Sequence, residues 1–229
     1  MATVNGIHHI AVCTSDIKRQ IEFLSDVLGM QLVALFWMHG VEGAWHGFMR
    51  LNDRSCFALV QTPEVPGIER QLGVTHSGNG ALPVAGGALQ HLALNVDSEA
   101  ELLAMRDRIR SKGVNVFGPI DHGLCRSIYF AGPEDLSLEI ACSEAAIDAE
   151  AWIDPEVAEL AGLSPEDVER FKHPESYAAP AEPLPQPAYD PTKPHMRGYP
   201  EKLYRRMLEM TDEAIGASAS EPDPPVRTD

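Results

Sequence analysis

The sequence predicts an α+β protein: two βαβββ modules whose strands form a curved mixed sheet around a cavity, followed by a helical and extended C-terminal tail. Three observations predict it. The run HHIAVCTSD at 8–16 reappears as QHLALNVDS at 90–98, with a histidine followed by alternating apolar residues and a polar helix start. A helical pattern closed by glycine follows each run, and three strand-like stretches follow each helix.

In the first module (6–62) the opening strand runs through Ile10 and Val12. Ile17, Ile21, Leu24 and Leu28 then share one helix face. Gly29 stops this helix, as a C′ glycine should. Strands are expected at 31–38, 45–51 and 56–62, bounded by turn residues. Residues 63–87, rich in Gly and Pro, form a linker or a lid loop. The second module (88–144) repeats the order, with Leu102, Met105 and Ile109 on its helix, Gly113 at the stop, and strands at 115–120, 126–131 and 136–142. Together the modules make a domain over 1–144. The tail, 145–229, is expected to hold a short helix at 154–161 and another opened by Ser164 with Pro165 at its first position. Eight prolines between Pro174 and Pro200 favour an extended arm, and a last helix is expected at about 201–215. The final dozen residues have the composition of disorder.

Composition narrows the function. The net charge of −16 argues against a nucleic-acid backbone or an anionic membrane surface as partner. Most of that charge lies in the tail, where 18 acidic residues face 8 basic ones. Cys13, Cys56, Cys125 and Cys142 are scattered without a CxxC pair, and no apolar run approaches the roughly 20 residues of a membrane span, so a cytoplasmic protein with reduced thiols is expected.

Strand alternation selects the candidate site. Ile10 and Val12 share one face of the first strand, leaving His9, Ala11 and Cys13 on the other. Leu92 and Leu94 likewise leave His91, Ala93 and Asn95 opposite. In the last strand Leu136, Leu138 and Ile140 form the apolar face, and Glu139 stands between Ser137 and Ala141 on the other. A carboxylate in such a strand loses several kcal/mol of hydration unless it is paired, and a metal is an effective partner. Two imidazoles and a carboxylate make a three-ligand set that leaves positions open for substrate. The cavity is therefore a metal cavity, with His9, His91 and Glu139 as ligands. His8 has the opposite parity and is expected to be structural.

The stretches HHIAVCTSDIKRQIEFLSDVLGM, QHLALNVDS and DHGLCRSIYFAGPEDLSLEI resemble the vicinal oxygen chelate superfamily, which contains glyoxalases, bleomycin-resistance proteins and extradiol dioxygenases. The resemblance covers residues 6–144. It implies paired βαβββ modules around one divalent metal, a small-molecule substrate and often a homodimer. Its four ligand positions fall on His9, His91, Glu139 and a position best matched by Ala58, which departs from the four-ligand set of glyoxalase I unless a bulge turns Gln61 inward. Tyr129 precedes Glu139 by the interval at which extradiol enzymes carry a substrate-binding tyrosine, and His122 lies near it. Those enzymes also carry a His-His pair where this chain reads Asp53-Arg54-Ser55-Cys56, so His46 is the candidate for that role.

Three functions follow. The leading one is a non-haem Fe(II) extradiol-type dioxygenase acting on a catechol-like molecule, with Tyr129, His122 and His46 as catalytic candidates. The second is a non-redox isomerase, lyase or transferase of the same superfamily using Mn²⁺, Zn²⁺ or Ni²⁺. The third is a protein that sequesters a small molecule without metal, which gives Glu139 no reason to stand where it does.

Overall fold

The computed structural model describes residues 3–227. By internal contacts the chain divides into two compact units. One comprises Gly6–Trp37 with Gly43–Pro174; the other comprises Met38–Glu42 with the terminal segments 3–5 and 175–227.

Both modules lie in the first unit. Module 1 runs β1 (His9–Cys13), α1 (Ile17–Glu22), β2 (Gln31–Trp37), β3 (Trp45–Asn52) and β4 (Ser55–Gln61). Asp16 starts α1 by accepting the Arg19 N–H at 3.0 Å, a π-helical turn Phe23–Val27 extends it, and Gly29 ends it at φ +82°. Module 2 runs β5 (Leu92–Asn95), α2 (Glu99–Ser111), β6 (Phe117–Asp121), β7 (Arg126–Ala131) and β8 (Ser137–Cys142). Ser98 caps α2 through the Glu101 N–H at 3.2 Å. The mixed sheet consists of two four-stranded sheets, ordered β1-β4-β3-β2 and β5-β8-β7-β6, each with one parallel pair at its first edge. β6 starts two residues later than its sequence predicts, and its ladder is broken between Phe117 and Ile120, where Pro119 offers no N–H.

The modules share one core. Leu24, Phe57 and Leu59 of module 1 belong to the same buried cluster as Leu102, Ile128, Leu138 and Ile140 of module 2. The Phe23 and Phe130 rings stack at 6.5 Å, and the Arg108 guanidinium donates to the Val27 carbonyl at 2.8 Å. Each sheet thus turns its large apolar residues toward its helix and this core, which leaves the opposite face open for other chemistry.

Glu134 ties the modules together. It sits in the turn before β8 at φ +58°, where a non-glycine residue is strained. Its carboxylate accepts from the Ser15 N–H at 2.9 Å, the Ser15 hydroxyl, the Gln20 amide at 3.0 Å and Arg70 at 3.3 Å. Burial pushes its pKa up, but the hydrogen bonds from Ser15, Thr14 and Gln20 outweigh burial and bring it down to about 2.

Beyond the modules come α3 (Ala149–Trp152), α4 (Pro155–Leu160) and α5 (Pro165–Lys172), the last opened by a capping box between Ser164 and Asp167. Pro174 to Pro200 contains no helix, as its prolines require. The single helix expected at 201–215 is two, α6 (Glu201–Leu208) and α7 (Asp212–Ala219). Thr211 caps the second by accepting the Ala214 N–H at 3.2 Å, which stops the first. α7 also places regular structure at the start of the stretch expected to be disordered; its last two residues, 228 and 229, lie outside the described ones.

Candidate metal centre

The register of the two sheets makes their open faces comparable residue by residue. In module 1, Ala11 pairs with Ala58 and Ala58 with Phe48; in module 2, Ala93 pairs with Glu139 and Glu139 with Tyr129. Ala58 therefore holds the position equivalent to Glu139. Gln61 does not turn onto that face: its Oε1 accepts the Ile17 N–H at 2.8 Å, fixing the start of α1 on the helix side.

On the module 2 face, the His91 Nε2 and Glu139 Oε2 are 3.0 Å apart, and Glu139 is only 5% exposed. The His91 Nδ1 contacts the Oε1 of Gln90. The amide orientation is fixed by its other end, since the Gln90 Nε2 donates to the carbonyls of Asn79 at 3.2 Å and Leu82 at 3.1 Å. Tyr129 stands beside Glu139, and its hydroxyl is 2.9 Å from the Nε2 of His122. Burial first, then the charge and hydrogen bonding of Glu139, raise the Tyr129 pKa against a lowering hydrogen bond from Ser127. The phenol thus keeps its proton. Over this face runs the 77–90 segment: a side chain at Gly80 would touch the Tyr129 ring at 3.5 Å.

On the module 1 face, His9, His46, Phe48 and Phe36 form an aromatic group. His9 lies 6.4 Å from His46 and 5.6 Å from Phe48, and His46 lies 4.4 Å from Phe48 between ring centroids. His9 is exposed, and its Nδ1 is 2.9 Å from the Nδ1 of His8. His8, expected to be structural, is thus the hydrogen-bond partner of a candidate ligand; parity alone could not show this, because His8 precedes the strand. The Nε2 of His46 is buried with no hydrogen-bond partner among the described residues. Burial, then the neighbouring His9, lower its pKa, which keeps the imidazole neutral.

The fold thus brings together His91, Glu139, Tyr129 and His122 on one face, and His9 with His46 on the other. Among the described residues no group of three His, Cys, Asp or Glu side chains stands close enough to hold a metal within one chain. His9 is therefore not gathered with the other two expected ligands.

The donors present nevertheless fit a divalent cation. With Nδ1 donating to Gln90, a neutral His91 presents a lone pair at Nε2, and that lone pair faces a buried carboxylate oxygen. Two acceptors at 3.0 Å repel unless a proton or a cation lies with them.

Paired βαβββ modules with a histidine at the start of each first strand and a glutamate on the last strand define a vicinal oxygen chelate protein. The family model for the Glyoxalase/Bleomycin resistance protein/Dioxygenase superfamily matches residues 6–140, more than half of the chain, and the chain belongs to that superfamily. Solved structures similar to it include a glyoxylase/bleomycin resistance protein/dioxygenase domain from Frankia (12% identity, TM-score 0.48, 62% of this chain and 100% of that one). They also include the fosfomycin resistance protein FosX from Listeria monocytogenes (19%, TM-score 0.41, 62% and 95%) and a lactoylglutathione lyase from Agrobacterium tumefaciens (19%, TM-score 0.43, 62% and 96%). No curated protein sequence matches the chain. Among the described residues no helix is long and apolar enough to cross a membrane.

Proposed function

We propose that the protein is a metal-dependent enzyme acting on a small molecule with two adjacent oxygens, and that its reaction is extradiol-type ring cleavage of a catechol-like substrate with Fe²⁺. The observation that carries this reading is the contact between the His91 Nε2 and the buried Glu139, beside a phenol and a second imidazole. His91 and Glu139 are two ligands; His9, exposed and held through its Nδ1 by His8, is the third, supplied by a second copy of the chain. A bound divalent iron would supply two-point chelation of the substrate oxygens and a position for dioxygen.

The remaining steps belong to side chains of this chain. Tyr129, holding its proton, donates a hydrogen bond to a substrate oxygen beside Glu139, and His122, with Nε2 2.9 Å from the phenol oxygen, orients that hydroxyl. His46, neutral and with no partner for Nε2 among the described residues, stands 6.4 Å from His9 and serves as the base for the second hydroxyl. The 77–90 segment passes over one side of the Tyr129 ring at Gly80.

The test is anaerobic loading of the full chain with Fe²⁺, followed by oxygen uptake with a panel of catechols. Uptake with ring-cleaved product supports the reading. No uptake with any catechol, alongside turnover of another substrate class with Zn²⁺ or Mn²⁺, overturns the dioxygenase and leaves the non-redox reaction in its place.

A further inference from the structure

Gln90 does two things at once. Its Oε1 meets the Nδ1 of His91, while its Nε2 donates to the Asn79 and Leu82 carbonyls, 3.2 and 3.1 Å away. Its own carbonyl accepts from the hydroxyl of Ser77, which is 2% exposed. Three bonds therefore join one residue to Ser77, Asn79 and Leu82 in the first half of the 77–89 loop, and a fourth joins it to the imidazole. A glutamine with both amide ends committed cannot flip, so the imidazole beside it has no choice of tautomer.

We propose that Gln90 is a positioning residue: it holds His91 as the Nδ1–H tautomer, aims Nε2 at Glu139, and makes the order of the 77–89 loop part of the same arrangement. The inference rests on the reading of His91 and Glu139 as metal ligands, since a ligand needs a fixed lone pair at Nε2. The consequence is regulation through the loop. A substrate that orders residues 78–89 also tightens His91, and a loop that opens loosens it. Gly80, lying against the Tyr129 ring, carries the same loop to the second catalytic group.

Two variants separate the two halves of this role. Gln90→Leu removes both the acceptor and the donors. Gln90→Glu keeps an acceptor for the His91 Nδ1 but sets a carboxylate against two carbonyls, freeing the loop. The full-length metal-free chain is examined by long-range ¹H–¹⁵N correlation of the histidine rings, by hydrogen exchange over residues 78–89, and by titration with Zn²⁺ alone. In the parent, His91 is expected to carry a proton at Nδ1, with a second proton shared between Nε2 and Glu139 while no metal is bound. Gln90→Leu is expected to lose the Nδ1–H form, to bind Zn²⁺ about 10- to 100-fold more weakly, and to exchange faster in the loop. Gln90→Glu is expected to keep the tautomer and Zn²⁺ affinity within about 3-fold of the parent while the loop exchanges at least about 5-fold faster.

A parent His91 with no proton at Nδ1 overturns the proposal, as does a Gln90→Leu chain with unchanged tautomer and affinity. Should Gln90→Leu not fold, an altered tautomer or an unchanged loop in Gln90→Glu overturns it equally. A parent that binds no Zn²⁺ but shows the Nδ1–H form, lost in Gln90→Leu, sinks the metal reading and leaves the positioning intact.

Discussion

The open faces of the two sheets descend from one pattern and have diverged in what they carry. Where module 2 has Glu139, module 1 has Ala58, and where module 2 has Tyr129, module 1 has Phe48. Each module keeps its histidine ahead of the first strand's small residues. Module 1 carries the proposed ligand His9 on an apolar aromatic surface with the neutral His46 beside it. Module 2 offers the carboxylate, the second imidazole, a protonated phenol and a cover loop. On the proposed function this is a division of labour: one face holds the charge-bearing half of the site, and the other shapes and completes it.

The sharpest way to break this comparison is subunit mixing. His9→Ala and Glu139→Ala are each expected to be inactive, but co-refolded together they should recover about a quarter of the parent activity, since half of randomly mixed dimers carry one intact site of two. No recovery in demonstrably mixed dimers would mean that His9 and Glu139 do not meet across copies.

Tyr129→Phe tests the chemistry of the module 2 face by making it resemble its module 1 counterpart. Turnover should fall about 100-fold with metal content unchanged, as read by oxygen uptake and elemental analysis. A Tyr129→Phe chain of parental turnover would reduce the phenol to a packing group.

How much of this was legible in the sequence differs between the two faces for physical reasons. The repeat and the alternation of Ile10, Val12, Leu138 and Ile140 separate each sheet's large apolar residues from the face that carries Ala11, Ala58, Ala93 and Glu139, and the register follows the same alternation. Ala58 was likewise matched to Glu139 before the register showed it. What alternation cannot reveal is whether two open faces look at each other, because that depends on how the modules share their core. Gln90 leaves no signal in the alternation, because its role depends on a loop carbonyl eight residues away. The tail's second helix is hidden because Thr211 is a cap that a continuous apolar stripe over Leu203, Met207 and Met210 obscures.

The joint between the modules should matter least to the chemistry and most to acid stability. Glu134→Gln removes a charged acceptor and is expected to cost about 2 kcal/mol at neutral pH, measured by urea unfolding. Because the folded-state pKa of Glu134 lies below its ordinary value of 4.5, at about 2, its stabilisation is fully present above the ordinary value and is lost as pH falls through the folded one. The parent should therefore lose stability between about pH 4.5 and pH 2, and the Gln variant should lack that component.

The central claim is that Glu139 and His91 hold a metal ion. Its most direct test is the metal content of the full chain purified without added metal, beside Glu139→Ala, followed by Fe²⁺ or Zn²⁺ titration of both. The account predicts a stoichiometric divalent metal in the parent and affinity at least about 100-fold weaker in the variant. Equal metal content and equal affinity in the two chains would contradict it.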